Sequence, residues 1–306
     1  MKILFIVSKF PIISETFIIN QITGLIDRGH DVHIYSRVKG DTGVLHPDVV
    51  QYGLVGKTIF PLADGTRLYK RLNGIKTLLT LAGASPTILG RSIVALKKCL
   101  RQKKLWLFYE NIPLLQHRFD LVYCHFGPNG NIGTQLRDLG LVDGRVVTVF
   151  HGYDMTTYVN SAGANVYTEL FRAGDLFLPI SRRWKERLES LGANPEKIRV
   201  HRMGIDPNHF SFQPRLPSPE RPVRLIIIAR MVEKKGIEYG IRAIDQVVGK
   251  GINVELSVVG DGPLRGELEA LCRQLGVSDR VHLLGWKNQE EVARLLWQSD
   301  ILLAPS

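Results

Sequence analysis

Short apolar runs recur along the chain, and most are followed by a stretch in which apolar residues return every three or four positions. Such runs are typical of strands buried on both faces of a parallel sheet, and the stretches between them are typical of helices that cover it. In the first two thirds of the chain, strands are predicted at 3–7, 31–35, 121–124, 146–150, 176–180 and 198–201, with clear helices at 17–28 and 181–191. This alternation predicts an α/β fold built of βαβ units.

A proline-rich segment separates this pattern from a second one. Four prolines lie within residues 212–222, a density that neither a helix nor a sheet accommodates, so residues 213–222 are predicted to form a linker. Beyond it, strands are predicted at 223–229, 253–259, 280–284 and 301–303, and helices at 237–248, 264–275 and 289–298. We therefore expect two Rossmann-like domains, residues 1–212 and residues 223–306. Because the second pattern stops directly after a strand, we expect the second domain to be incomplete.

Positive charge is concentrated in one segment of the first domain, residues 65–110. The chain has a formal net charge of +11, and from Gly65 to Tyr109 it contains ten basic residues and no acidic one. Apolar and aromatic residues lie between these cations, a pattern typical of amphipathic helices on an anionic membrane surface. We expect a helical insertion that contacts such a surface through residues 67–104. A solvated helical insertion is the alternative, and no RNA- or DNA-binding motif supports a nucleic acid partner.

Cysteine usage and the length of the apolar runs indicate a cytoplasmic protein. The three cysteines, Cys99, Cys124 and Cys272, are far apart and form no CxxC motif. This argues against a disulfide framework or a zinc site, and for a reducing compartment. The apolar start is too short for a signal peptide, and no run approaches the roughly 20 apolar residues of a membrane-spanning helix. We expect a cytoplasmic location, peripheral to the inner face of the cell membrane.

Cations lie where a predicted strand of the second domain gives way to a helix. Arg230 closes the strand, and Lys234, Lys235 and Gly236 directly precede the helix. A helix N-terminus already carries partial positive charge, so cations ahead of it are unfavourable unless an anion binds between them. We therefore predict a diphosphate site formed by Arg230, Lys235 and the free N–H groups at Gly236, without a metal ion. The alternative is a surface loop with incidental lysines, and Lys234 by itself is expected to be solvated.

Glycines follow the next two strands of the second domain. Gly260 and Gly262 allow either a close approach of the backbone to a ligand or a plain tight turn. Gly285, Trp286 and Lys287 follow the third strand and are predicted to line the pocket of a base, while Asn288 is predicted to cap the helix after them. Ligands of such sheets bind at the carboxyl ends of the strands, so we expect the glycines and the tryptophan to lie beside the two cations.

Two histidines lie at carboxyl ends of strands in the first domain. His151 directly follows an apolar strand and precedes a glycine, which places it at the expected ligand-binding edge. It is predicted to orient or polarise a substrate hydroxyl, with Asp154 either holding it or capping the next turn. His125 ends another strand, ahead of a glycine-rich loop. It is a second candidate for substrate contact, and core packing explains its position equally well.

The loop after the first strand carries three polar residues, Ser14, Glu15 and Thr16, directly before a helix. Ser14 is a suitable N-cap and Glu15 is favourable near the positive end of the helix dipole, so capping alone would account for both. The same loop lies at the expected ligand edge, which makes all three candidates for substrate contact. The chain has no Ser-His-Asp elbow, HExxH motif or Walker lysine, and no GxGxxG follows the first strand, which argues against a dinucleotide oxidoreductase.

Four segments together resemble a known family: IIIARMVEKKGIEYGIRAI, LSVVGDGPLRGELEAL, RVHLLGWKNQEEVARLLWQSDILLAPS and PISRRWKERLESLGANPEKIRVHRMGIDPNHF. They are similar to the retaining GT-B glycosyltransferases of family 4. The start of the chain, FIVSKFPIISETFIINQITGLIDRGHDVHIY, resembles the branch that includes colanic acid and other exopolysaccharide glycosyltransferases. The resemblance implies two Rossmann-like domains that face a cleft, and retaining transfer of a sugar from a nucleotide-sugar, usually a UDP-sugar. It implies no metal ion and no other cofactor.

The resemblance also implies roles for the candidate residues. The family's Arg and Lys pair, which binds the donor diphosphate, maps onto Arg230 and Lys235, and its active-site His maps onto His151. These three residues are the predicted catalytic residues. The further donor-binding residues are predicted to be Gly236, Gly260, Gly262, Gly285 and Trp286, and the acceptor-binding residues Ser14, Glu15, Thr16 and His125.

Acceptors in this branch are commonly lipid-diphosphate-linked oligosaccharides, which agrees with the basic segment. One feature departs from the family: its E-x7-E motif, whose glutamates bind the donor sugar and ribose, follows a strand that ends like SDILLAPS, and this chain ends at Ser306. We therefore expect a C-terminally truncated chain, and its activity without that segment is open. The alternatives are a nucleotide-sugar epimerase on the same scaffold and an inactive nucleotide-binding fragment.

Overall fold

The chain folds into two units, residues 1–204 and residues 205–306. The structure is a computed structural model. It describes the following ranges, with the side chains of residues 67–70, 82 and 84 excepted: 1–12, 15–40, 45–62, 67–204 and 221–305. Most of the predicted linker at 213–222 lies outside the described residues, so its conformation stays a prediction.

Strands and helices of the first unit alternate along the chain, as the apolar pattern predicted. In chain order they are β1 (Lys2–Phe10), α1 (Thr16–Asp27), β2 (Asp31–Lys39), α2 (Pro47–Gln51), β3 (Thr58–Ile59), α3 (Arg67–Ala84), α4 (Pro86–Arg101), α5 (Leu105–Asn111), β4 (Leu121–His125), α6 (Gly127–Asp138), β5 (Arg145–Phe150), α7 (Thr157–Ala162), α8 (Thr168–Ala173), β6 (Leu176–Pro179) and α9 (Arg182–Ser190). The strands form one parallel sheet in the order β3-β2-β1-β4-β5-β6.

The centre of the sheet is buried on both faces, which explains its continuous apolar strands. Leu4 and Ile6 of β1 belong to the apolar cluster under α4, α5 and α6. Ile3 and Phe5 belong to the cluster on the other face, under α1. Since successive side chains of a strand point to opposite faces, a strand covered on both sides needs apolar residues at consecutive positions. The strand predicted at 3–7 is confirmed and runs on to residue 10.

The strand predicted at 198–201 is wrong. Its backbone runs beside β6, where Arg199 and His201 donate N–H groups to the carbonyl oxygens of Phe177 and Pro179, both at 3.0 Å. A single isolated bridge, Phe177 to Ile198, is formed. To extend this bridge, Pro179 of β6 would have to donate an N–H group to the segment, and proline has none, so the ladder of a strand does not develop.

The second unit has a parallel sheet of its own. Its elements are β7 (Val223–Ile228), α10 (Ile237–Gly249), β8 (Val254–Val259), α11 (Arg265–Gln274), β9 (Val281–Gly285), α12 (Gln289–Gln298) and β10 (Ile301–Leu302). The strand order is β10-β7-β8-β9. All seven elements were predicted from the sequence, with ends that differ by at most one residue. A separate apolar cluster lies between this sheet and its helices.

The three cysteines are buried and unpaired, so no disulfide stabilises either unit. Within the described ranges, each helix is too short or too polar to cross a bilayer.

Candidate functional site

His125 and His151 meet at the carboxyl edge of the first sheet. His125 is the last residue of β4 and pairs with Val149 of β5, two residues before His151. Because side chains two positions apart on a strand point to the same side, this register brings both imidazoles to one side of the sheet. Nδ1 of His125 lies 3.1 Å from Nε2 of His151, within hydrogen-bonding distance.

Aromatic rings surround the histidine pair. The ring centroid of Phe17, in the first turn of α1, lies 5.6 Å from that of His125 and 5.0 Å from that of His151, and Phe126 lies 4.5 Å from His151. Burial lowers the pKa of His125 to about 3, and positive charge on His151 and His201 adds to the shift. Burial also lowers the pKa of His151 to about 4. Both imidazoles are therefore neutral at neutral pH.

Asp154 ties together the two loops that carry the histidines. Its buried carboxylate accepts N–H groups from Gly127 at 3.0 Å, from Gly152 at 2.8 Å and from His151 at 3.1 Å. Burial raises the pKa of this carboxyl, and the three N–H donors oppose the rise. Asp154 thus binds the backbone of His151 rather than its imidazole.

His125 is fully buried, in contrast to its predicted contact with an acceptor. Its exposed fraction is 0%, and its imidazole reaches the ligand edge only through His151. Asn129 of α6 donates from Nδ2 to the carbonyl oxygen of His125 at 2.7 Å and to the Ser8 hydroxyl at 3.1 Å. Direct acceptor contact by His125 stays a prediction, and the contact that the structure shows is the one with His151.

Glu15 and Thr16 directly precede Phe17, whose ring packs on both histidines. Ser14 lies outside the described residues, so its capping and acceptor roles stay predictions. Glu15 occupies the N-cap position without a side-chain cap bond, and burial raises the pKa of its carboxyl. Thr16 is exposed at the first position of α1. Acceptor contact by Glu15 and Thr16 also stays a prediction.

Arg230 and Lys235 flank the loop between β7 and α10. Arg230 is exposed, and Lys235 is partly exposed at the end of a short 3₁₀ turn, Glu233–Lys235. Neither side chain forms a hydrogen bond or an ion pair with any other residue that the structure describes. Gly236 adopts the left-handed φ of 61°, and α10 begins at the next residue. The N–H of Gly236 donates to the carbonyl oxygen of Glu233 at 2.9 Å, so in contrast to the prediction it is not free, and donor binding by Gly236 stays a prediction. Two cations without an acidic partner still precede the N-terminus of α10, whose dipole favours an anion.

Gly260 and Gly262 bring two loop backbones of the second unit into contact. A Cβ atom on Gly260 would lie 2.0 Å from the carbonyl oxygen of Ala229, and one on Gly262 would lie 2.6 Å from that of Met231. The N–H of Met231 donates to the carbonyl oxygen of Asp261 at 2.9 Å. These glycines therefore position the loop that carries Arg230, and direct contact with a donor stays a prediction for both.

The loop after β9 joins the same hydrogen-bonded edge. The N–H of Gly260 donates to the carbonyl oxygen of Gly285 at 2.9 Å, and Gly285 has a left-handed φ of 71°. Trp286 beside it is 56% exposed, which leaves its ring open to a ligand. Asn288 caps α12 in a reciprocal capping box with Glu291, so its predicted capping role is confirmed. Donor binding by Gly285 and Trp286 stays a prediction.

Helices α3 and α4 and the start of α5 expose apolar side chains, and we call this face the basic helical surface. Leu72, Ile75 and Leu79 are spaced along one side of α3, and Leu79 is 68% exposed. The further exposed apolar residues are Leu89, Ile93, Val94, Leu100 and Trp106. Exposed cations lie among them: Arg71, Lys76, Lys97, Arg101 and Lys103.

One cation of this segment has a structural role instead. Arg91 is largely buried, and its guanidinium donates to the carbonyl oxygens of Leu115 and His117 and pairs with Asp143 at 3.0 Å. It anchors α4 to the body of the first unit. The exposed cations are therefore the ones that are available to a partner.

Family models match most of the chain. Residues 14–209 match Glycosyltransferase Family 4, and residues 210–306 match Glycosyl transferases group 1. WcaL of Salmonella typhimurium, named as a colanic acid biosynthesis glycosyltransferase, is 36% identical over all of this chain and 75% of its own length. AmsK of Erwinia amylovora, an amylovoran biosynthesis glycosyltransferase, is 34% identical over the same shares of the two chains.

A solved structure supports the fold. The crystal structure of Anabaena HepE in complex with UDP and glucose superimposes with a TM-score of 0.64, covering 99% of this chain and 73% of that one, at 17% identity. At this identity the likeness concerns the fold alone. It agrees with the GT-B class and its two Rossmann-like sheets.

Proposed function

The chain belongs to glycosyltransferase family 4, with relatives in exopolysaccharide biosynthesis, and on this premise we propose that it transfers a sugar from a UDP-sugar to a lipid-linked oligosaccharide with retention of anomeric configuration. The observation that carries the proposal is the similarity to two exopolysaccharide glycosyltransferases over the whole chain. The bond between the anomeric carbon and the diphosphate breaks, the acceptor oxygen bonds to that carbon, and UDP and a proton are released.

The unpaired cations of the second unit support the donor part of the proposal. Negative charge grows on the diphosphate as the glycosidic bond breaks, and Arg230, Lys235 and the start of α10 stabilise it electrostatically. Within the described residues no acidic side chain neutralises either cation, so both charges are available to the diphosphate. Gly260, Gly262, Gly285 and Trp286 border the same edge and would contact the nucleoside and sugar.

The histidine pair supports the acceptor part. His151 is neutral at neutral pH because burial lowers its pKa to about 4, so it acts on a hydroxyl as a hydrogen-bonding group rather than as a cation. Ser14, Glu15 and Thr16 directly precede Phe17 in the sequence, and the ring of Phe17 packs on His151. In the proposal these residues bind the acceptor beside His151.

The basic helical surface supports a lipid-linked acceptor. Exposed leucine, isoleucine and tryptophan side chains among unpaired cations suit the interface of an anionic membrane, where the apolar groups enter the lipid and the cations meet the head groups. The segment from residue 65 to residue 109 contains no acidic residue, so its own helices bring no carboxylate to this face. We infer that the protein works as a peripheral protein at the inner face of the membrane.

The test is a transfer assay with radiolabelled UDP-sugars and vesicles that contain a polyprenyl-diphosphate oligosaccharide. The proposal expects UDP release and label in the lipid fraction, with both lost in His151→Ala. Interconversion of the UDP-sugar without acceptor would instead establish an epimerase. UDP binding by calorimetry without any turnover would establish a non-catalytic nucleotide-binding protein.

A further inference from the structure

The buried imidazole of His125 has one nitrogen on His151 and one without a partner. Nδ1 lies 3.1 Å from Nε2 of His151, and Nε2 of His125 is buried with no hydrogen-bond partner among the residues that the structure describes. The rings of Phe5, Phe17 and Tyr123 lie around it, with centroids 5.9, 5.6 and 5.4 Å away. A neutral imidazole has one N–H donor and one acceptor nitrogen, so the pair has two possible arrangements.

In one arrangement, Nδ1–H of His125 donates to Nε2 of His151, and the unpartnered Nε2 of His125 is a lone pair. In the other, Nε2–H of His151 donates to His125, and the unpartnered atom is a buried N–H group. Orphaned buried N–H groups are rarer in proteins than orphaned acceptors. The apolar rings around His125 therefore favour the first arrangement.

We propose that His125 is a positioning residue that keeps His151 in the tautomer with its proton on Nδ1. In this state Nε2 of His151 is occupied as an acceptor, and Nδ1–H is left to donate to a substrate oxygen. Nδ1 of His151 has no hydrogen-bond partner among the described residues, so it is free for this role. The effect on catalysis rests on the proposed function, whereas the tautomer does not.

The backbone around the two histidines fixes their geometry. The carboxylate of Asp154 binds the N–H of Gly127, two residues after His125, and the N–H of His151. Phe126, which lies between His125 and Gly127, has a φ of 71°, a left-handed value that non-glycine residues rarely adopt. Strained residues of this kind persist where surrounding contacts hold them, and they cluster at functional sites. A clamp on both loops keeps the 3.1 Å contact in register.

The tautomer can be measured without turnover. In ¹⁵N-histidine-labelled protein, two-bond ¹⁵N–¹H correlations distinguish Nδ1–H from Nε2–H for each of the nine histidines, and loss of signals in His151→Gln assigns His151. The proposal expects Nδ1–H for His151 in the natural protein at neutral pH. An Nε2–H pattern for His151 would overturn it, even if no variant of His125 folds.

Three substitutions test the role of His125. His125→Phe keeps the ring without the nitrogens, His125→Asn places an amide where Nδ1 lies, and His125→Gln carries the amide one carbon further as the matched control. We expect Phe and Gln to release the tautomer of His151 and to lower kcat about tenfold to a hundredfold, with UDP affinity unchanged. His125→Asn is expected to retain the Nδ1–H tautomer of His151 and most of kcat.

An unchanged tautomer in His125→Phe, with the fold confirmed by circular dichroism, would also overturn the proposal. If the natural protein shows Nδ1–H on His151 but transfers no sugar, the proposed function fails while the positioning role stands. The two failures are therefore distinguishable.

Discussion

Arg230 and Lys235 differ from the other cations at the carboxyl edge of the second sheet. Arg265 pairs with Glu269 at 3.0 Å and Lys287 with Glu291 at 3.5 Å, whereas Arg230 and Lys235 have no acidic partner in the described part of the chain. Unpaired cations close to a helix N-terminus repel one another and the helix dipole unless an anion is bound. Their arrangement is therefore understandable as part of a diphosphate site.

Replacing Lys235 by Ala is expected to cost about 2 kcal/mol or more of transition-state stabilisation, because the leaving diphosphate loses one preorganised charge. This corresponds to about a 30-fold loss in kcat/KM. The matched control is Lys234→Ala, which removes a neighbouring exposed lysine and is expected to leave turnover unchanged. Near-normal turnover in Lys235→Ala, or equal losses in both variants, would count against the site. Initial rates of UDP release measure both.

Gly260→Ala is expected to destabilise the second unit by about 1–3 kcal/mol, because its Cβ atom would overlap a backbone carbonyl. That atom would lie 2.0 Å from the Ala229 oxygen, at a φ of 131°. The control is Gly266→Ala in α11, where a Cβ atom meets nothing within 4 Å, and where alanine is expected to stabilise by about 0.5–1 kcal/mol. Urea unfolding measures both. Equal stability of the two variants would show that the loops adjust freely.

Helix α4 buries apolar residues on one side and exposes apolar residues on the other. Ala95 and Cys99 of α4 are fully buried in the core of the first unit, while Ile93 and Leu100 of the same helix are 46% and 54% exposed. Apolar residues on both sides of a helix leave one side without a protein partner, and large exposed apolar patches mark interaction sites. The surrounding cations make an anionic membrane the partner that fits best.

The double substitution Leu79→Asp and Leu100→Asp is expected to weaken binding to vesicles that contain anionic lipid by about tenfold or more. The reason is that transfer of two exposed leucine side chains from water into the lipid is worth a few kcal/mol. Co-sedimentation with such vesicles measures the bound fraction. The control is Val50→Asp on α2, which is 64% exposed but lies outside the basic helical surface. Binding that is insensitive to the double substitution and to salt would argue for a solvated surface.

The first unit holds several histidines whose pKa is lowered by full or partial burial. Burial lowers the pKa of His117 to about 4, with positive neighbours such as His33 and Lys2 adding to the shift. The pKa values of His125 and His151 are lowered in the same direction. A histidine whose pKa is lower in the folded state binds fewer protons there than in the unfolded chain, so acid favours unfolding.

The contribution of these histidines to the free energy of unfolding is therefore expected to be highest above about pH 6.5, the pKa of an unperturbed histidine, and to fall as the pH drops towards 4. Urea midpoints at pH 7.5 and pH 5 measure the difference. His117→Gln removes one of the titrating groups and is expected to reduce it. A midpoint at pH 5 equal to or above that at pH 7.5 would contradict the argument.

Most elements of both sheets were predictable, because their signal is local. The two-residue edge strand β3 was missed, because it shows no continuous apolar run. Buried parallel strands show as continuous apolar runs such as 3–7, and helix ends are marked by single capping residues. Asn288 was predicted to cap α12, and its side chain accepts the N–H of Glu291. The strand at 198–201 failed because pairing with β6, and not the apolar content of the segment, decides whether a ladder forms.

Local sequence alone thus determined most of the strands and helices, the cap of α12 and the presence of histidines and cations at strand ends. Tertiary structure decided that His125 is buried and bonded to His151, because the register of β4 and β5 joins residues far apart in the chain. It also decided that Gly260 and Gly262 contact protein backbone, and which sides of α3 and α4 face outward. These properties depend on the contacts of each residue, which periodicity along the chain does not specify.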